Sequence, residues 1–453
     1  MELISPIDAV FLLAESREHP MHVGSLQLFE APEDAGPDFA QLTYEKLSAD
    51  REFHPTFRKR PATWLGAPQV GWTQEGDVEL EYHLRRAALP APGRFDQLLD
   101  LASRLHSTLL DRHRPLWEIH LVEGLGDGRF AIYSKMHHAL IDGVAAQRVL
   151  ARTLTNDPNS AETRVPWHLP RSTRPPKAAA AGSGLGNAAR NLLSAAGSVP
   201  AAVRVARAAL VEQQLTLPFD APRSMFNVPI GGARRCAVRS WPLERVKQVK
   251  KATGSTINDV VLTMSAGALR SYLIERNALP DKPLIAMVPM SLRATDEDED
   301  TNGNKIGAIL CNLATDVEDP IERLRVVSES MRRSKEVYNS LSSAQAMALS
   351  AVMLSPLALT LLPGVVSWTN PPFNIVISNV PGAREPQYWN GARLDATYPM
   401  SIPMDGQAVN ITLTTNADNL DFGLVGCRRS VPQLHRLLDH LEDALTGLEQ
   451  AAR

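Results

Sequence analysis

Five prolines crowd between residues 158 and 176 (Pro158, Pro166, Pro170, Pro175 and Pro176), and an Ala-rich run follows to about Leu215. Proline removes a backbone donor and fixes φ, so no helix or sheet strand runs through such a segment. The stretches on either side alternate strand-like and helix-like patterns. The break therefore reads as a connection between two α/β units. A chain of 453 residues suits this division, since a domain takes about 150 residues. We expect a first unit over 1–170, a connection over 171–218, in which Gly197 and Pro200 would interrupt any helix, and a second unit over 219–453.

Periodicity supplies the elements. Val23–Phe29 and Arg129–Met136 read as strands, while Leu98, Leu101, Leu105 and Leu109 recur at helical spacing, as do the apolar residues of Val144–Leu154. In the second unit, helices are expected over Leu243–Lys251 and Thr256–Glu275. Strands are expected over Leu284–Val288, Ile306–Leu313, Phe373–Ser378, Val409–Thr415 and Leu420–Val425. Leu434, Leu437, Leu438, Leu441, Leu445 and Leu448 make one apolar stripe of a closing helix. The fold class is α/β, with mixed sheets flanked by helices.

Charge removes some functions. A net charge of −3 gives no basic surplus, so no nucleic-acid partner is expected. Cys236, Cys311 and Cys427 are far apart and form no thiolate zinc pattern or disulfide framework, which fits a reducing compartment. The N-terminus has no basic and apolar leader pattern, so the protein is not expected to be secreted. Residues 337–383 contain no Asp, Glu, Lys or Arg. Pro356, Pro363 and Gly364 interrupt that stretch, so it reads as buried helices plus a core strand, or as an apolar wall that meets lipid. Asp296–Asp300 reads as a solvated acidic loop.

The run His137-His138-Ala139-Leu140-Ile141-Asp142-Gly143 carries the chemistry. On a strand, successive side chains point to opposite faces. The two imidazoles are then poorly placed to share one metal, and no metal site is expected. One can project into a cleft as a base while its neighbour packs behind. Asp142 suits either an N-cap or a brace that fixes the turn and aims His138, and Gly143 would permit tight turning.

The H-H-x-x-x-D-G string resembles the signature of the superfamily of chloramphenicol acetyltransferase, carnitine acyltransferases and nonribosomal-peptide condensation domains. Pro115-Leu116-Trp117, Asn258-Asp259 and Ser378-Asn379-Val380-Pro381-Gly382 are similar to elements of the bacterial wax ester synthase/diacylglycerol acyltransferase family. The opening segments Ser5–Asp8 and Met21–Gly24 and the stretch Asn227–Gly231 with Arg234-Arg235 fit the same family. The resemblance implies two chloramphenicol acetyltransferase-like lobes with the active site at their interface. It implies transfer of a long-chain acyl group from acyl-CoA to diacylglycerol or a long-chain fatty alcohol. His138 would be the general base and His137 its supporting neighbour, with no cofactor beyond the acyl-CoA co-substrate. It also implies a cytoplasmic protein in peripheral contact with a membrane or lipid-droplet surface. A carrier-protein-dependent condensation enzyme and a non-catalytic lipid-droplet surface protein are the competing readings.

The secondary motifs have structural readings too. Trp117 suits a core anchor. Thr256-x-x-Asp259 is a capping-box pattern with Asp where Glu or Gln is usual. Asn258, next to it, could contact the alcohol or donate to a developing oxyanion. Ser378 and Asn379 read as the end of a strand entering a Pro-Gly turn, and could wall the site. Arg293 is a candidate partner for Asp142.

Overall fold

The computed structural model describes residues 2–64, 67–141, 143–160, 162, 164–168, 216, 218–291, 306–342, 345–346, 349–354, 366 and 369–453. Its first half supplies β1 (Glu2–Leu3), α1 (Pro6–Ala14), β2 (His22–Glu30), α2 (Phe39–Ala49), β3 (Lys59–Trp64), β4 (Ala67–Gln74), α3 (Leu80–His83), β5 (Leu84–Ala88), α4 (Phe95–Ser107), β6 (Trp117–Glu123), β7 (Phe130–His137) and α5 (Gly143–Ala151). The second half supplies β8 (Arg234–Pro242), α6 (Leu243–Thr253), α7 (Ile257–Ile274), β9 (Ile285–Ser291), β10 (Ile306–Asn312), α8 (Pro320–Ser340), β11 (Ile375–Ala383), β12 (Tyr388–Trp389), β13 (Ala392–Met400), β14 (Val409–Asn416), β15 (Asn419–Cys427) and α9 (Arg436–Ala451). The connection expected over 171–218 falls almost wholly outside the described residues.

Two six-stranded sheets organise the molecule, one of order β12-β13-β2-β7-β6-β5 and one of order β10-β9-β11-β14-β15-β8. A small sheet of order β1-β4-β3 flanks the first. Sheet membership does not follow the linear division at residue 219. β13, from the last quarter of the chain, runs antiparallel to β2 from Arg393 opposite Glu30 to Met400 opposite Gly24. The chain then returns to the second sheet at β14.

The second sheet packs one face on its helices. Leu434, just before α9, and Leu437, Leu441, Leu445 and Leu448 on it are essentially fully buried, as the leucine spacing predicts. They share a core with α7 and with Ile375, Ile377, Val409 and Ile411 of the sheet. The first lobe has its own core around Phe29, Trp117, Ile119 and Phe130.

A third cluster joins the lobes, bringing Leu26, Leu28, Tyr133 and Ala396 of the first sheet against Cys236, Val238 and Val425 of the second. Backbone approach tightens the seam. A Cβ on Gly423 of β15 would collide with the Pro399 carbonyl on β13. The carboxylate of Asp421 accepts the Thr397 N–H at 2.8 Å. On α4, the hydroxyls of Ser103 and Ser107 accept the N–H groups of Cys236 and Arg234 at 2.9 and 2.8 Å. The edge strand β8 is thereby covered by a helix of the other lobe, leaving fewer free edge groups.

Ser378-Asn379 does not end a strand. β11 continues through Pro381 and Gly382 to Ala383, with a register shift against β14 between Val380 and Ala383. The irregularity accommodates a residue that cannot donate to the ladder. Gly382 is required because a Cβ there would collide with the Thr415 carbonyl.

Of the uncharged stretch, Ala346, Leu349 and Met353 are buried in the second-lobe core. Its residues 355–365 lie outside the described residues. Among the described residues no helix is long and apolar enough to cross a membrane.

Candidate active site

β7 carries His137 as its last residue, and His138 begins the turn that follows. The His138 backbone N–H donates to the Met21 carbonyl at 2.8 Å. Its ring stacks on Phe11 of α1, with centroids 4.1 Å apart and planes inclined by 16°. His138 is partly exposed, whereas His137 is completely buried. His137 Nδ1 accepts the Ala139 N–H at 3.0 Å, so its proton belongs on Nε2. That nitrogen lies 3.4 Å from Glu15 Oε1, an electrostatic contact more than an aligned hydrogen bond. His137 thus fixes the turn that presents His138.

Glu15 was not singled out in the sequence. It caps the C-terminal end of α1, a helix whose N-terminus is closed by the Ser5 hydroxyl accepting the Asp8 N–H. Glu15 Oε2 accepts from Arg112 Nε at 2.8 Å, and Oε1 from the Met21 N–H at 3.3 Å. Arg112 also donates to the Leu12 carbonyl at 2.6 Å. Burial pushes the Glu15 carboxyl up, but His137 and Arg112 outweigh it and hold the group below its ordinary range. One carboxylate therefore ties together α1, the strap leading to Met21, and the buried imidazole. The available signal was Phe11 and Glu15 at i and i+4 at the end of a capped helix.

Behind the motif, β7 is buried on both faces, and the alternate positions carry polar groups. Lys135 is fully buried, and its ammonium donates to the carbonyls of Leu105 and Thr108 at 3.2 and 2.8 Å. It also lies 3.3 Å from Glu118. Burial holds the Lys135 ammonium below its usual range. His106 meets Tyr133 at 2.9 Å and the Ser401 carbonyl at 3.2 Å. Burial depresses His106 to about 3, so it is a neutral structural group. His22, opposite His137 in the β2–β7 register, is likewise held neutral by burial.

The other sequence-derived candidates are distributed as follows. Pro115 and Leu116 are buried, and the Leu116 carbonyl accepts the His137 N–H at 3.0 Å. Trp117 is a core anchor. Its indole donates to the Phe57 carbonyl at 2.9 Å and stacks against His83 and Trp167. Asp259 closes a capping box, accepting the Thr256 N–H at 3.0 Å. Asn258, beside it, is half-buried in the first turn of α7 and is not consumed by the cap. Ser378 and Asn379 are half-buried on β11, the strand against which α5 packs. The strand that carries them therefore adjoins the helix that follows the motif. Asp142 and Arg293 lie outside the described residues. Gly143 opens α5 without a left-handed φ, and a Cβ there would meet open space. Tight turning is therefore not the reason for glycine. Among the described residues, no three His, Cys, Asp or Glu side chains converge as a metal site.

Two α/β lobes tied by the insertion of β12 and β13 into the first sheet, with a partly exposed histidine at the end of a buried strand, have the two-lobed architecture expected of the chloramphenicol acetyltransferase-like class. A model of the wax ester synthase/diacylglycerol acyltransferase catalytic domain matches residues 4–261. The corresponding C-terminal domain matches residues 302–449. The chain belongs to the wax ester synthase/diacylglycerol acyltransferase family. It is 59% identical to a probable diacylglycerol O-acyltransferase of Mycobacterium tuberculosis, over 100% of this chain and 99% of that protein. The solved wax ester synthase/diacylglycerol acyltransferase of Marinobacter aquaeolei VT8 superposes with a TM-score of 0.81 at 40% identity, covering 100% of both chains. The first condensation domain of the calcium-dependent antibiotic synthetase shares the fold at 19% identity and a TM-score of 0.58, covering 100% of this chain and 96% of that one.

Proposed function

We propose that the protein is an acyl-CoA-dependent O-acyltransferase that makes triacylglycerol or wax esters, with His138 as its general base. The observation that carries this reading is the contrast between the two imidazoles. His137 is completely buried and locked by Ala139 and Glu15, while His138, anchored through its backbone and stacked on Phe11, is a partly exposed residue.

The chemistry follows from the residue types. A hydroxyl is a weak nucleophile at neutral pH, and an imidazole with an ordinary pKa near 6.5 can take its proton. The alcohol oxygen bonds to the thioester carbonyl carbon as His138 accepts the proton. The tetrahedral oxyanion collapses and breaks the C–S bond. The imidazolium returns the proton to the departing thiolate, giving an ester and free CoA. Asn258 has a carboxamide available to donate to the oxyanion. Such a donor contributes about 3–4 kcal/mol. Asp142, which Arg293 would pair, serves as a brace in this reading. The step requires no metal or further cofactor.

The acceptor is an apolar alcohol, and we place its approach at the surface of α1. Val10 and Leu13 are among the exposed large apolar residues, three apart on one face of α1, the helix that also carries the Phe11 stacked on His138. This supports peripheral contact with a membrane or lipid inclusion. The test is CoA release by purified protein from palmitoyl-CoA with dioleoylglycerol or hexadecanol as acceptor. Release that depends on either acceptor supports the reading. Transfer only from an acylated carrier protein, or no transfer, rejects it.

A further inference from the structure

Between β13 and β14 the chain makes a tight turn, Met404-Asp405-Gly406-Gln407. Met404 and Gln407 face each other as an antiparallel bridge, exchanging N–H to carbonyl bonds of 3.1 and 2.9 Å. Gly406 takes the left-handed conformation, φ 80°, that such a turn needs. Gln407 is only 1% exposed. Among the described residues neither its Oε1 nor its Nε2 has a hydrogen-bond partner. Other side chains of this region are fully engaged. Asn227 and Asn374 bond to each other at 2.7 Å and to surrounding backbone, with Asn227 donating to the Gly406 carbonyl at 2.6 Å. An orphaned carboxamide in such a setting calls for a polar ligand.

Its place points to the ligand. Directly opposed residues of an antiparallel pair carry their side chains on one face of the ribbon. Gln407 therefore lies beside the Met404 side chain, which packs on the first-lobe core that Leu140 and Ile141 of the motif also adjoin. At the tip of the turn, Asp405 pairs with His19 at 2.9 Å. His19 lies on the strap that ends at Met21, whose carbonyl holds the His138 N–H. The orphaned group thus sits on the loop that crosses the lobes, next to the elements that position the base.

A carboxamide offers both a donor and an acceptor. An ester carbonyl only accepts and would leave Oε1 unpaired, and the one hydroxyl of the acceptor must give its proton to His138, so it cannot also serve Oε1. A secondary amide carries an N–H and a C=O, and the arm of coenzyme A next to its sulfur contains two of them. We propose that Gln407 is a positioning residue for the acyl donor, hydrogen-bonding the amide groups of the pantetheine arm so that the thioester carbonyl meets His138. This inference rests on the acyl-CoA reading above.

The test compares three donors of one chain length in the wild type and Gln407→Leu: decanoyl-CoA, decanoyl-N-acetylcysteamine, and the S-ethyl thioester, which has no amide. Gln407→Leu should lower kcat/KM for the two amide-bearing donors by roughly tenfold to a hundredfold. The S-ethyl thioester should change by less than about twofold, and the melting temperature should not fall, because the carboxamide has no partner among the described residues. Equal losses on all three donors, or no loss on any, overturns the proposal. If Gln407→Leu does not fold, Gln407→Met is read by the same ratios. Titration of CoA itself into the full-length protein separates this inference from the acyl-transfer reading. Weaker CoA binding by Gln407→Leu supports it even in a protein that transfers no acyl group, and unchanged binding rejects it.

Discussion

Glu15 Oε1 stands 3.4 Å from His137 Nε2, while the other oxygen of the same carboxylate takes a 2.8 Å hydrogen bond from Arg112. The pair links α1 to the motif strand. Glu15→Gln keeps the shape but removes the charge that faces Arg112 and the buried imidazole. A hydrogen bond to a charged partner is worth about 1.5–3 kcal/mol, so the variant should melt lower. It should also lose turnover with both acceptors, since Met21 and His138 hang on the same strap. Wild-type melting and turnover would contradict the positioning role.

Acid stability follows from the same group. Glu15, Glu118 and Asp405 are each pushed up by burial, but their cationic, histidine or backbone N–H partners more than offset it, and all three sit below their ordinary values. A depressed carboxyl contributes stability that is complete above its unfolded pKa and fades as pH falls through its folded one. Stability should therefore decline from about pH 4.5 downward. A flat profile to pH 3 would contradict it.

Asp421 runs the other way. Burial at the lobe seam raises its carboxyl to about 6, against an ordinary 3.8. The folded state then binds more protons between these values, so this group costs stability as pH rises from about 4 to about 6. Asp421→Asn keeps an acceptor for the Thr397 N–H and removes the titration. Its melting temperature relative to wild type should rise across that window. A difference independent of pH would rule out the assignment.

Two glycines should behave oppositely. Gly423→Ala forces a Cβ into the Pro399 carbonyl and should cost about 1–3 kcal/mol or more, as overpacking does. Gly143→Ala meets open space at the start of α5 and should hold or slightly raise stability. Thermal unfolding of both variants decides. Equal destabilisation would contradict the described seam.

Much of this was legible in the sequence, for local reasons. The leucines of α9 and the motif at the end of β7 are encoded in spacing. So is the capping box of α7, which uses Asp259 as the pattern predicts. The insertion of β12 and β13 into the first sheet was not legible, because pairing Arg393 with Glu30 is a long-range choice that no local period records. The burial of Lys135, His106 and His22 has no local signal in the sequence. They are buried because each finds carbonyl or carboxylate partners far away in sequence. The Pro-Gly pair at 381–382 read as a turn and became a bulged strand, because β14 offers Gly382 a close backbone approach.

The most direct test is the turnover of His138→Ala, measured as CoA release from palmitoyl-CoA with dioleoylglycerol or hexadecanol, beside its melting curve. General-base help is worth roughly 10²–10⁴-fold, so the rate should fall by that factor while the melting temperature stays near that of the wild type. A folded His138→Ala protein that turns over at the wild-type rate would contradict the assignment of His138 as the base.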